Sequence, residues 1–226
     1  MTYNPNLADK LNKQVELEEK LKAKRKRKEA KGEEAETIIQ ETTAAEDRSG
    51  FIYVPSIKLY LAKERTHLGL DWDQTHEALK KENLRMPNPI EFVQFLKYLK
   101  DNPSQENTRV YNKITQVRSP WRAEYLDAYF EQRDDGIYVL TGNKKNAEKM
   151  DEATLMENRT PGISLDGWLK NPTSQGLPRK NVEKGDLYYW EPKHGRVAGF
   201  VADSDWTGLG CVGDPSDRDS ALGVFA

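Results

Sequence analysis

The chain has 226 residues, with 35 Lys and Arg against 37 Asp and Glu, a net charge of -2 and one cysteine. That balance does not mark a dedicated nucleic-acid binder, and a lone thiol excludes an intrachain disulfide framework. No apolar run approaches the ~20 residues that cross a bilayer, and the start, MTYNPNLADK, lacks the apolar stretch of a secretory signal, so no membrane partner and a cytoplasmic location are the default expectations.

Residues 1–49 read as a charged helical or flexible arm. Lys, Glu, Ala and Leu dominate it, all good helix formers, and the hydrophobic fraction of 36% for the whole chain is low enough to place part of it outside a core. A basic run from Lys22 to Lys28 precedes an acidic block, GEEAETIIQETTAAED. A contact with nucleic acid through Lys22 to Lys28 is the sharper reading of the run. The absence of interleaved aromatics argues against stacking on bases, so a solvated arm is favoured. Asp47 to Gly50 reads as a linker.

From Gly50 onward the pattern is that of a folded domain. Phe51 to Val54 and Ile57 to Leu61 read as strands. Asp71 with Gln74 three residues on forms a capping box, and Trp72, Thr75, His76 and Leu79 share one helical face. Asn88, Pro89 and Glu91 make a second helix start, with Phe92, Phe95, Leu96 and Leu99 as its buried stripe and Asp101-Asn102-Pro103 as its stop. After a polar stretch, Tyr125, Asp127 and Tyr129 alternate with Leu126, Ala128 and Phe130, and Ile137 to Leu140 pairs back across Asp134-Asp135-Gly136. A short helix is expected around Glu152, and a one-turn helix capped by Ser164 or Asp166 carries Leu165, Trp168 and Leu169. Leu187 to Trp190 is an aromatic strand. Trp121, Trp168 and Trp190 are read as core, since large aromatics dominate burial in domains with small sheets.

The last stretch, Val197 to Ala226, has a composition of its own. It holds no Lys, Glu, Gln or Met, and its acids are all aspartates: Asp203, Asp205, Asp214, Asp217 and Asp219. It also has a strand's period of two. Phe200, Leu209, Cys211, Leu222 and Val224 fall on an apolar side, and small or polar residues fall on the other. An Asn codon whose adenines are replaced freely yields Gly, Asp, Val, Ala, Ser, Tyr or Arg and cannot yield Lys, Glu, Gln or Met, the four types the stretch lacks. Trp206 lies outside that set.

Two resemblances follow. ADSDWTGLGCVGDPSDRDSALGVFA, just after DLYYWEP, resembles the variable region of proteins diversified by diversity-generating retroelements, which rewrite template adenines and whose target proteins have a C-type lectin fold. RMPNPIEFVQFLKYL resembles the Leu-Pro-Thr and acidic-aromatic helix signature of the formylglycine-generating-enzyme branch of that fold, with Met86 and Asn88 in place of the usual Leu and Thr. Together they imply an α+β, C-type-lectin-like domain over 50–226, with two helices, small antiparallel sheets and a variable region at 197–226.

The resemblances imply a ligand-binding display protein with a macromolecular, protein-class ligand. Its expected recognition residues are Gly199, Val201, Asp203, Asp205, Trp206, Gly208, Gly210, Val212, Asp214, Asp217, Asp219 and Ala221. Trp206 and Arg218 are the expected anchors, and the aspartates favour a partner of basic character. No catalytic residue, cofactor or metal site is expected. Cys211 alone cannot supply the thiols of a formylglycine-generating enzyme, and His67, His76 and His194 have no metal-ligand spacing. Asp203 to Gly208 matches a calcium loop only in its first positions. Glu191-Pro192-Lys193 replaces a sugar-binding amide with lysine. The competing readings are an enzyme or accessory domain of the formylglycine-generating type and a structural protein acting on nucleic acid through the basic arm.

Overall fold

The computed structural model describes residues 48–226, and the basic run Lys22 to Lys28 with nearly all of the expected arm lies outside them. Among the described residues the fold is mixed α and β, with antiparallel and parallel strand pairs. Strands β1 (Phe51–Val54) and β2 (Leu59–Ala62) form a hairpin. Three helices follow: α1 (Trp72–Lys81), α2 (Pro89–Asp101) and α3 (Gln105–Thr115). Then come β3 (Arg122–Arg133), β4 (Gly136–Thr141), β5 (Asn146–Lys149), β6 (Arg159–Ile163), a short α4 (Leu165–Lys170), β7 (Leu187–Trp190), β8 (Arg196–Ala202), β9 (Thr207–Gly213) and β10 (Leu222–Gly223).

The helix starts follow from their caps. Asp71 accepts from the Gln74 amide, and Asn88 from the Glu91 amide ahead of Pro89, each with the reciprocal bond of a capping box. Trp72, Thr75, His76 and Leu79 are buried, as are Phe92, Phe95, Leu96 and Leu99. The polar stretch after Pro103, to which the sequence pattern assigns no element, is helix α3, capped by Ser104 and buried only through Val110 and Ile114. The helix expected around Glu152 is absent, and the fully exposed strand β5 precedes that position instead. Ser164 caps α4, whose Trp168 and Leu169 are buried.

The large sheet runs β5-β4-β3-β8-β9-β7-β6. β3 is its longest strand. Its second half pairs with β4 and its first half takes β10 in parallel, while β8 pairs along both. A bulge between Tyr125 and Tyr129 breaks the register with β8, and Asp127 sits in it. There Asp127 accepts from the amides of Gly142 and Asn143, and it lies 3.3 Å from His76 Nε2. One face of the sheet packs on α2 and α3 through Leu126, Phe130, Phe200, Leu209 and Cys211. Part of the other face is covered by Trp72, Leu79, Leu222 and Val224. Trp72 donates its indole N–H to the Leu126 carbonyl at 3.0 Å.

The carboxy-terminal residues are pinned to the body. Thr66 and Val224 exchange backbone hydrogen bonds, and Ala62 donates to the Ala226 carbonyl. The period of two does not extend this far. Every residue from Leu222 to Ala226 is buried, because this segment lies between β3 and the chain after β2 and has no free side.

Candidate functional site

The site is the uncovered part of the outer sheet face, where β3, β8, β9 and β7 lie side by side. Cross-strand partners share a face, so the register defines rows. One outer row is Tyr125, Gly199, Gly210 and Trp190; the next is Ala123, Val201, Gly208 and Tyr188. Two glycines between Tyr125 and Trp190 leave a trough with an aromatic wall on each side. The resulting cavity is about 250 Å³. Trp121, Tyr125, Trp190, Trp206, Val201 and Val212 supply its apolar surface.

Trp206 closes one end. It stacks on Tyr188, with ring centroids 5.5 Å apart, and meets Trp190 edge-on at 5.0 Å. Its position is fixed by the β8–β9 turn, in which Asp203 donates its amide to the Trp206 carbonyl at 2.9 Å. The loop after β9 borders the cavity too. Tyr125 donates its hydroxyl to the Asp217 carbonyl at 2.9 Å. Burial, with the carboxylates of Asp217, Asp71 and Asp214 behind it, pushes the Tyr125 hydroxyl well up. Two hydrogen bonds from Ser216, hydroxyl and amide, together with Arg196, hold the Asp214 carboxyl below its usual range.

The inner row on the same strands is Glu124, Phe200, Leu209 and Tyr189, all 1% exposed or less. Glu124 contributes to the cavity lining, but its carboxylate pairs with Arg122 at 3.0 Å on the inner side. Neither carboxylate oxygen has a hydrogen-bond partner, and burial pushes this carboxyl up to about 7 despite Arg122. Cys211 is buried, and burial raises its thiol far above the reactive range.

Of the twelve expected recognition residues, six line the cavity: Gly199, Val201, Trp206, Gly210, Val212 and Asp217. Asp203 and Asp205 lie in the β8–β9 turn, and Asp214 and Asp219 are exposed on the loop after β9. Ala221 is half-buried beside β3, where its carbonyl accepts from Ala123 and Arg65. Gly208 and Gly210 are buried, contrary to expectation. A Cβ at Gly208 would stand 2.8 Å from the Tyr188 carbonyl oxygen and 2.9 Å from the Trp190 ring, so only glycine fits between these aromatics. At Gly210 the nearest atoms are 3.9 Å away or more, so a side chain has room.

Trp121 and Trp190 are half-buried cavity walls rather than core, whereas Trp168 is fully buried. Trp121, Tyr125 and Trp190 are therefore the site residues that sequence reasoning missed. The available signal was the aromatic run LYYW, whose alternate residues Tyr188 and Trp190 face outward. Arg218 is not a free anchor, because its guanidinium holds the α1 cap residue Asp71 at 2.9 and 3.0 Å.

No group of three or more His, Cys, Asp or Glu side chains among the described residues could hold a metal ion. No helix among them is long and apolar enough to cross a membrane. No family model, no curated protein and no solved structure matches the chain.

Proposed function

We propose that this is a non-enzymatic ligand-binding protein that displays a recognition surface on the outer face of β8, β9 and the loops joined to them. In this reading the domain is C-type-lectin-like, and residues 197–226 are the variable region of a diversity-generating retroelement's target protein. The observation that carries the proposal is the division of labour along β8 and β9. Phe200, Ala202, Leu209 and Cys211 are buried at 0% exposure, while Val201, Gly210, Val212 and Trp206 line a cavity on the outer face. Val201, Trp206 and Val212 are only half-buried and a side chain at Gly210 has room, so this face can vary at a smaller cost than the sealed inner one. An enzymatic role of the formylglycine-generating type finds no support in Cys211, whose thiol is buried on the inner face.

The test is a library randomised at Val201, Asp205, Val212, Asp214, Asp217 and Asp219 and selected against unrelated proteins. The proposal expects most members to fold and different members to bind different targets. A library that largely fails to fold, or folds and binds nothing, contradicts it. The family assignment has its own test in the neighbouring DNA: a near-copy of the segment coding for 197–226, differing at adenines and lying beside a reverse transcriptase gene.

A further inference from the structure

The chemistry of the cavity narrows the ligand. Four aromatic rings, Trp121, Tyr125, Trp190 and Trp206, line it, and no lysine or arginine does. Its volume of about 250 Å³ falls below the roughly 300–1,000 Å³ of sites for drug-sized molecules, so it suits one side chain. Trp and Tyr faces attract a cation within about 6 Å. Asp217 lines the cavity and is exposed. Beyond it, Asp203, Asp205 and Asp219 form no ion pair among the described residues; each carboxylate accepts from a nearby amide or hydroxyl of its own loop, while the Asp203 carbonyl accepts from the Arg118 amide. Asp217 is equally without a cation and accepts from the Asp219 amide. Residues 197–226 hold five aspartates and one arginine, and that arginine is engaged by Asp71.

Resting on the display reading above, we infer that this surface binds a protein partner of basic character, which inserts one arginine or lysine side chain into the aromatic cavity. The rings take the flat or methylene part of the side chain and the cationic head by cation–π attraction. Asp217 supplies the counter-charge at the cavity itself. The further aspartates lie outside the cavity, so they complement additional basic groups around the inserted one. That extended complementarity favours a protein surface over a free amine. On the Tyr125 side of the cavity, Asp217, Asp71 and Asp214 add to burial in holding the proton on that hydroxyl, whereas Arg122, Arg65 and Arg118 act on Glu124 beneath it.

The experiment uses the full chain and follows the indole N–H signals of Trp190 and Trp206 by NMR. The probes are a capped basic peptide centred on one arginine, the same peptide with norleucine at that position, and tetramethylammonium. The inference expects saturable shifts with the arginine peptide, at least roughly tenfold tighter binding than the norleucine peptide or tetramethylammonium, and weakening with added salt. Asp217→Asn should weaken the arginine peptide severalfold and leave the norleucine peptide unchanged. Trp206→Ala should abolish the shifts at Trp190, with retained melting behaviour showing that the fold persists. Equal affinity for norleucine would overturn the cationic assignment while leaving a display surface standing. Equal affinity for tetramethylammonium would overturn the protein partner. Failure of every probe would overturn the cavity as an anchor site. The library selection above would still decide display separately, since it does not depend on charge.

Discussion

The same four strands carry two rows of side chains that differ in almost every respect. The inner row, Glu124, Phe200, Leu209 and Tyr189, is sealed at 1% exposure or less. The outer row, Tyr125, Gly199, Gly210 and Trp190, replaces its two central members with glycine. The inner row fills space, with Phe200 meeting Phe92 at 5.6 Å and stacking on Trp168 at 6.4 Å. The outer row leaves space between two aromatic walls. A strand pair can therefore anchor a fold with one set of residues and hold open a binding trough with the alternate set, because successive side chains point to opposite faces.

The largest break in this contrast should come from the inner face. Phe200→Ala removes a fully buried ring and should cost about 3–5 kcal/mol, read as a lowered denaturation midpoint.

Next in size is the one polar member of the inner row. Glu124 holds its proton up to about 7, against an ordinary 4.5. The folded state then binds more protons than the unfolded one between those values. Its contribution to stability is fully present below about 4.5 and is lost as pH rises through 7, on the order of 3 kcal/mol in all. Glu124→Gln should flatten the decline in stability over that window, and an unchanged slope would show that the carboxyl titrates normally.

The outer face has exceptions to its tolerance at Val197, which is fully buried, and at Gly199 and Gly208, where a Cβ would stand 3.0 and 2.8 Å from a backbone oxygen. Gly208→Ala should cost about 1–3 kcal/mol through crowding of Tyr188 and Trp190. Gly210→Ala, two residues on and on the same face, should change stability by less than about 1 kcal/mol. If the two behaved alike, the trough would not have the shape described.

What could be read in the sequence was local. Capping boxes at Asp71 and Asn88, the stripes of α1 and α2, the hairpin turn before β4 and the buried inward positions Phe200, Leu209 and Cys211 all depend on residues a few positions apart. Helix α3 was missed because only Val110 and Ile114 mark its buried side and the rest of it is polar. Strand β5 was missed because all four of its residues are exposed and carry no alternation. The cavity walls were missed for a different reason. Trp190 reaches the site through a parallel pairing of β7 with β9, and Tyr125 through the antiparallel pairing of β3 with β8. Both pairings are set by the topology of the sheet, and residue spacing does not announce them. The failure of alternation after Ala221 has the same origin, since residues 222–226 are packed between two segments distant in sequence.

The central claim is that the interior and exterior sides of β8 and β9 do separate jobs. The measurement that tests it most directly is a saturation scan of positions 197–213, scored for folding by protease resistance. The account predicts low tolerance at Phe200, Ala202, Leu209 and Cys211 and high tolerance at Val201, Gly210 and Val212, with the buried Val197 and the crowded Gly199 and Gly208 as the outward exceptions. Tolerance that is uniform along the strands, or lowest at the outward positions, would contradict it.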